Sequence, residues 1–116
     1  FISVRTAVPP SFRHLRDGGD ALVLVKPQFE AGREAVGKGG IVRDLIARRD
    51  SVLEVARAFE DQGLGPQRIL MSQTPGREGN IEMFIHCRKG APATDPIRLR
   101  LEAEEAAKGP EAPATS

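Results

Sequence analysis

The apolar run Ala21-Leu22-Val23-Leu24-Val25 constrains the fold of this chain more than any other feature. It is too short for a helix of its own, it is rich in β-branched residues, and Pro27 ends it. Such a run is typical of a strand buried on both faces, as in a parallel sheet covered by helices. Open α/β sheets bind ligands at the carboxyl ends of their strands. We therefore expect Lys26, which follows this strand, to lie at the rim of a ligand site.

A glycine-rich segment follows the lysine. Residues 28–43 contain four glycines and predict a loop, and loops of this length in compact domains are usually functional or mobile. Between Lys26 and Arg49 there are 6 basic and 3 acidic residues. This excess suits a polyanion such as RNA, but an excess of this size is common on solvated surfaces, and charge alone favours a solvated surface. Arg33, Lys38 and Arg43 are therefore either phosphate-binding cations or solvated ones.

The same segment approaches the pattern of a nucleotide-binding phosphate loop, Gly32 to Gly39, without completing it. Position 39 is glycine where magnesium binding requires a hydroxyl residue. The next helix is expected to begin at Asp44, so its amino terminus cannot hold the same phosphate as Lys38. Both differences from the phosphate-loop pattern disfavour a binding site for a nucleoside triphosphate.

The second half of the chain predicts one helix and two strands. Leu45–Gln62 has an apolar stripe, with Asp44 as the amino-terminal cap and Gly63 as the carboxyl-terminal cap. Two strands, 68–72 and 81–89, have no helix between them and must pair as a hairpin. The expected apolar positions of the helix are Leu45, Val52, Val55, Ala56 and Phe59, and its expected solvent-facing charges are Arg48, Arg49, Glu54, Arg57, Glu60 and Asp61.

The resulting fold class is α/β. Its sheet is expected to be mixed, with parallel strands ending in an antiparallel hairpin, and Phe1–Val4 is expected to be the end of a further strand. Residues 1–90 form the predicted domain. Residues 91–116 are rich in Ala, Glu and Pro with little to bury, which favours a disordered tail. A frayed helix over residues 98–108 is the alternative.

Composition excludes several classes of protein. Hydrophobic content is 40% and charged content 28%, which is ordinary for a globular chain. No apolar run approaches the roughly 20 residues that span a bilayer, and no secretory leader is visible. Cys87 is the only cysteine, so an intramolecular disulfide and a cysteine-rich metal site are both excluded. A reducing cytoplasm is the expected location, and no metal is expected.

Two side chains carry the most specific chemical hypotheses. Desolvation against an apolar wall favours the neutral amine of a lysine, so Lys26 is either a base or a side chain that reaches past the sheet rim to solvent. Glu82 lies in a strand, where acids are disfavoured unless paired. It is either a charge at the sheet edge or a carboxylate directed into the same cleft as Lys26. His86 and Cys87 lack the partners that a nucleophile or a metal site requires.

Four segments are read together: Phe1–Ser3, Lys26–Arg33, Gly37–Asp44 and Gly79–Glu82. They closely resemble the TlyA family of bacterial ribosomal RNA 2'-O-ribose methyltransferases, often labelled haemolysin A, with an FtsJ-like catalytic domain. The resemblance covers about residues 1–88. It implies an S4 RNA-binding domain followed by a Rossmann-like domain that uses S-adenosylmethionine, of which this chain would be the second half. The residues that bind the cofactor are then expected upstream of Phe1.

The resemblance also implies roles for individual residues. Lys26 and Glu82 match the last two members of the family's Lys-Asp-Lys-Glu tetrad, with Lys26 as the base and Glu82 orienting the lysines and the ribose. Arg33, Lys38 and Arg43 would hold the RNA backbone, with ribosomal RNA or ribosomal subunits as partners and no metal. A non-catalytic RNA-binding module is the alternative function. A membrane-active protein has no support, because the amphipathic helix has mixed charges and a modest apolar stripe.

Overall fold

The computed structural model describes residues 3–74 and 79–110. Within them, a three-stranded sheet packs against helices, and short 3₁₀ turns join the elements at Pro9–His14, Arg33–Ala35 and Lys38–Gly40. The strands are β1 (Asp20–Val25), β2 (Leu64–Met71) and β3 (Met83–Lys89). The helices are α1 (Val4–Ala7), α2 (Pro27–Glu30), α3 (Leu45–Glu60) and α4 (Pro96–Ala107).

The order of the strands is β1-β3-β2, and both neighbouring pairs are antiparallel. The hairpin of β2 and β3 is confirmed. The prediction that the last strand runs antiparallel to the others is confirmed, because β3 is antiparallel to both β1 and β2. Within the described residues the sheet is not mixed, since β1 and β2 run in the same direction but β3 lies between them. The reason is that β3 returns from the hairpin into the space beside β1, where it forms hydrogen bonds with both strands.

Strand β1 is buried on one side only. Val25 is fully buried and Val23 nearly so, while Leu22, which precedes Val23, is 61% exposed and Leu24, between the two valines, is partly exposed. The expectation of burial on both faces is therefore wrong in the described part of the chain. The helices that bury Val23 and Val25 lie on one face of the sheet, so alternate side chains of β1 remain accessible.

Helix α3 supplies most of the core opposite the sheet. Asp44 caps it as predicted, because its Oδ1 accepts a hydrogen bond from the backbone N–H of Ile46 at 3.0 Å. Phe59 is fully buried and its ring meets that of Phe12 edge-on, with centroids 5.8 Å apart. Leu45, by contrast, is 49% exposed and does not join the apolar stripe. The other apolar positions predicted for the stripe are buried: Val52, Val55 and Ala56.

Helix α4 occupies residues for which the sequence predicts disorder. Leu99 is 7% exposed and packs in the main core with three buried alanines, so the prediction is wrong for this helix, and residues 111–116 lie outside the described part. The helix also covers the outer edge of β2, where Glu102 Oε1 accepts a hydrogen bond from the backbone N–H of Ile69 at 2.8 Å. Covering an edge in this way satisfies backbone groups that would otherwise be unpaired. The buried alanines are Ala103, Ala106 and Ala107.

The amino-terminal segment forms a helical turn. The expectation of a strand is wrong for Val4, which begins α1, while Phe1 and Ile2 lie outside the described residues. Ser3 caps this turn, since its Oγ accepts a hydrogen bond from the backbone N–H of Arg5 at 3.1 Å. Residues 3–5 therefore cannot extend the sheet, because their backbone is committed to the turn.

Candidate functional site

The ladder between β1 and β3 ends beside Lys26 and Glu82. Val25 pairs with Met83 at the last position of this antiparallel ladder, so Lys26, which follows Val25, and Glu82, which precedes Met83, lie at the same end of the sheet. The backbone of Lys26 is still extended, at φ −110° and ψ 103°. The backbone of Glu82 is held from the other side, where its carbonyl accepts a hydrogen bond from the N–H of Ser72 at 3.1 Å. The sheet thus brings the two predicted catalytic residues together.

Glu82 is the unusual member of this pair. It is only 7% exposed, and no hydrogen-bond partner for its buried Oε2 lies among the described residues. A buried carboxylate oxygen without a partner is costly, and such atoms in native proteins usually meet a ligand, an ion or an ordered water. Within the described residues, no ion pair joins Lys26 to Glu82. The carboxylate is therefore available to accept a hydrogen bond from a bound group.

The loop beside this pair, residues 31–43, is here called the basic loop. Contacts within the loop order its backbone. Gly37 N–H donates a hydrogen bond to the carbonyl of Ile41 at 2.9 Å, and Val36 forms an isolated antiparallel β-bridge with Val42. Asn80, two residues before Glu82, holds it from outside: its Oδ1 accepts a hydrogen bond from Val42 N–H at 3.0 Å. The segment just before β3 therefore carries the Glu82 carboxylate and also anchors the basic loop through Asn80.

The three predicted RNA-binding cations all lie on the basic loop and are exposed. Arg43 also closes the loop, because its Nη1 donates a hydrogen bond to the carbonyl of Lys38 at 3.1 Å. The structure therefore places Arg33, Lys38 and Arg43 on one segment that is attached beside Lys26 and Glu82. Their binding role remains a prediction.

A second carboxylate, that of Glu30, is buried although the sequence pattern does not indicate it. Glu30, at the end of α2, is buried and accepts a hydrogen bond from Ser3 Oγ. Arg5 Nε lies 3.6 Å from Glu30 Oε1, and Arg5 Nη1 lies 3.6 Å from Glu54 Oε2 of α3. Glu30 thereby joins the segment after Lys26 to α1 and α3. Its position after Lys26-Pro27-Gln28-Phe29 was visible in the sequence, but nothing in that pattern indicates burial.

Arg48 was also missed. Helical periodicity places it on the solvent side of α3, but it is half-buried, and its Nε donates a hydrogen bond to the carbonyl of Val42 at 2.9 Å. Its Nη1 donates to the carbonyl of Ala107, at the end of α4, at 3.1 Å. Burial lowers the pKa of the Arg48 guanidinium, which still carries its charge at neutral pH. No signal in the sequence distinguishes Arg48 from its neighbour Arg49.

His86 and Cys87 take structural positions. His86 Nε2 lies 2.8 Å from Asp20 Oδ1, and this hydrogen bond lowers the pKa of the Asp20 carboxyl, with Arg88 as a weaker cause. Burial raises the pKa of the Cys87 thiol to about 12. No group of three or more His, Cys, Asp or Glu side chains that could hold a metal occurs among the described residues. None of the helices described is long and apolar enough to cross a membrane.

A cavity of about 500 Å³ lies between α3 and α4 and is lined by Arg57, Glu60 and Leu99 among others. Neither Lys26 nor Glu82 borders it. Its lining interleaves arginines with acidic side chains. No residue of the described ranges is therefore assigned to the cofactor.

The amino-acid sequence over residues 1–89 matches the family of FtsJ-like methyltransferases. The chain therefore belongs to the FtsJ-like methyltransferase family. It is 41% identical over 88 residues to TlyA of Mycobacterium tuberculosis, a 16S/23S rRNA (cytidine-2'-O)-methyltransferase. It is 42% identical over 86 residues to YqxC of Bacillus subtilis, an inferred rRNA methyltransferase. The resemblance to the TlyA family is thus confirmed.

These matches cover most of this chain and a minor part of each relative. The TlyA alignment spans 76% of the chain and 33% of TlyA, and the YqxC alignment spans 74% and 31%. The chain thus spans about a third of the length of the curated relatives that it matches. A solved structure from Streptococcus thermophilus, provisionally named a hemolysin, superimposes with a TM-score of 0.82 at 34% identity, covering 92% of this chain and 39% of that one. The antiparallel sheet of this FtsJ-like fold is therefore shared with a solved relative.

Proposed function

We propose that this chain is the carboxyl-terminal part of the catalytic domain of a ribosomal RNA 2'-O-ribose methyltransferase. In this proposal residues 1–90 are the second half of a Rossmann-like domain, and the protein acts on rRNA in the cytoplasm. FtsJ-like methyltransferases use S-adenosylmethionine, which would supply the methyl group. The activities for which the relatives are named support the substrate class, while the arrangement of Lys26 and Glu82 supports the reaction.

The reaction requires a deprotonated and aligned ribose hydroxyl. Lys26 acts as the general base: its neutral amine accepts the proton of the 2'-hydroxyl as the oxygen becomes methylated. Glu82 accepts a hydrogen bond from the ribose or from the ammonium of Lys26, which fixes the geometry between base and nucleophile. The observation that carries this proposal is that Lys26 and Glu82 flank the last ladder pair, Val25 and Met83, with Glu82 Oε2 buried and available as an acceptor.

The basic loop supplies the RNA contacts in this proposal. Arg33, Lys38 and Arg43 are exposed on a segment anchored by Asn80, two residues from Glu82. Cations in such a position neutralise backbone phosphates, and their contribution to affinity falls as salt concentration rises. The target nucleotide would then be held near the sheet end that carries Lys26.

The test replaces Lys26 by Ala in the full-length protein that contains this chain. We expect the turnover rate for rRNA methylation to fall by about 10²- to 10⁴-fold, the usual contribution of a general base. Affinity for S-adenosylmethionine, measured by calorimetry, should change little. Lys108→Ala is the matched control, because Lys108 is an exposed lysine at the end of α4 that pairs only with Glu105 among the described residues.

Undiminished methylation by the Lys26→Ala protein would contradict the assignment of the base. If the wild-type protein retains RNA in a salt-sensitive manner but transfers no methyl group, the alternative function of a non-catalytic RNA-binding module is favoured instead. The exposed position of the basic loop is compatible with that alternative, so the methylation assay decides between the two.

A further inference from the structure

Val42, in the basic loop, is held on both sides by side chains from other elements. Its side chain is fully buried. Its N–H donates to Asn80 Oδ1 at 3.0 Å, and its carbonyl accepts from Arg48 Nε at 2.9 Å. Neither bond belongs to a helix or to the sheet. Together with the bridge from Val36 to Val42 within the loop, the bonds from Asn80 and Arg48 tie this residue to the rest of the domain. We call the arrangement of these three residues the Val42 clamp.

Asn80 is suited to this position because an amide can donate and accept at once. While Oδ1 accepts from Val42, Nδ2 donates to the carbonyl of Gly40 at 2.9 Å. Asn80 is only 3% exposed, so losing either bond would leave a buried polar group unsatisfied. A carboxylate at this position would lose the second bond. It would also set a carboxylate oxygen against the carbonyl of Gly40, and this repulsion would weaken the first bond as well.

Arg48 extends the clamp to α4. The guanidinium is a planar fork with several donors, so it can bridge the carbonyls of Val42 and Ala107 simultaneously. The carbonyl of Ala107 is one of the free groups at the carboxyl end of a helix, where a cation is also favoured electrostatically. Because α4 lies beyond the residues matched by the FtsJ-like family, this bridge adds support to the basic loop from outside the matched segment.

We propose that Asn80 and Arg48 are positioning residues that fix the cations of the basic loop relative to Lys26 and Glu82. This inference rests on the proposed function. Lys38 and Arg43 lie on either side of the clamped segment and are joined by the hydrogen bond from Arg43 to the carbonyl of Lys38. Fixing Val42 therefore fixes both cations, and RNA meets a loop that is already ordered, which lowers the entropic cost of binding.

The experiment has a structural and a kinetic part. Hydrogen exchange of the Val42 amide is followed by NMR in wild type, Asn80→Asp and Arg48→Lys. We expect exchange at Val42 to accelerate by about tenfold or more in Asn80→Asp, while amides in the middle of β3 keep their protection. In the full-length enzyme, the KM for RNA should rise by about tenfold with a smaller change in kcat and an unchanged KM for S-adenosylmethionine.

The controls separate positioning from general stability. Arg49→Lys is matched to Arg48→Lys, because Arg49 pairs with Asp50 and Glu104 and does not contact the basic loop among the described residues. If Asn80→Asp does not fold, Arg48→Lys carries the test, since it keeps the charge and loses the two-carbonyl bridge. An unchanged KM for RNA in variants whose Val42 amide exchanges faster would overturn the inference, and so would unchanged exchange at Val42.

The proposed function can fail separately. Wild-type protein that methylates no RNA would remove the proposed function, while the exchange of the Val42 amide would still show whether Asn80 and Arg48 hold the loop. Active wild-type protein with no effect of either variant on the KM for RNA would remove only the positioning role.

Discussion

The basic loop and helix α4 are the two regions for which the sequence favours irregular structure, and they are ordered by different forces. The basic loop is held by hydrogen bonds from side chains to its backbone, from Asn80, Arg48 and Arg43. Helix α4 is held by burial, with Leu99 in the main core beside small alanines. Arg48 contacts both regions, at Val42 and at Ala107.

This difference predicts different responses to mutation. Each hydrogen bond contributes about 1 kcal/mol net, so losing one loosens the loop without unfolding the chain. Burial of an aliphatic side chain contributes more, and the cavity left by truncation adds to the loss. Order in the loop is thus a local property, whereas order in α4 is linked to the stability of the whole domain.

The largest effect is expected for Leu99→Ala in α4. Since Leu99 is 7% exposed within the main core, its truncation should lower the free energy of unfolding by about 2–5 kcal/mol, measured by urea denaturation. Leu101→Ala is the matched control on the same helix, because Leu101 is 60% exposed, and it should change stability by no more than about 0.5 kcal/mol. Equal losses for the two variants would show that α4 is not docked as described.

A smaller effect is expected for Gly39→Ala in the basic loop. Gly39 adopts φ +78°, a left-handed conformation that costs an alanine about 1 kcal/mol. Gly32→Ala is the control in the same loop: Gly32 has φ −61°, and an added methyl group would meet only the movable carboxylate of Glu34. Thermal denaturation should therefore distinguish the two alanine variants. A loop that tolerates both equally would not be held in the described conformation.

The smallest effect on stability is expected from ionisation of the Cys87 thiol, which does not occur in the folded state at neutral pH. The reactivity of this thiol can also distinguish opening of the core from opening of the basic loop. Burial raises its pKa from 9.0 to about 12, so the folded state favours the protonated thiol. The resulting stabilisation is complete below about pH 9 and is lost as pH rises toward about 12.

At pH 8, a thiol reagent should therefore label Cys87 only when the core opens. Labelling should accelerate in Leu99→Ala, because that variant raises the unfolded population, and should change little in Asn80→Asp if the loop opens locally. Rapid labelling of the wild-type protein would contradict the burial of Cys87.

Local sequence patterns predicted the elements that depend on residues close together in the chain. Asp44 as a cap, the strand Ala21–Val25 and the hairpin of β2 and β3 follow from capping chemistry, hydrophobic runs and the spacing between strands, and the structure confirms each. The position of Lys26 near Glu82 followed from the resemblance to the TlyA family together with the placement of strand ends. Their catalytic roles stay predictions.

Sequence patterns did not predict the features that depend on contacts between residues far apart in the chain. Helix α4 has few large apolar residues, and its alanines become core residues only because α3 and β2 approach closely enough to cover them. Arg48 looks like any surface arginine until the carbonyls of Val42 and Ala107 reach it. Strand β3 lies between β1 and β2, which no local signal indicates.

The sequence by itself determined the family, the strand β1 and the start of helix α3 at its Asp44 cap, because these depend on side-chain chemistry and on neighbours along the chain. Only the tertiary structure decided the strand order, the docking of α4 and the anchoring of the basic loop. Those features depend on hydrogen bonds and burial between residues that are 38 positions apart in the case of Val42 and Asn80, and 59 in the case of Arg48 and Ala107.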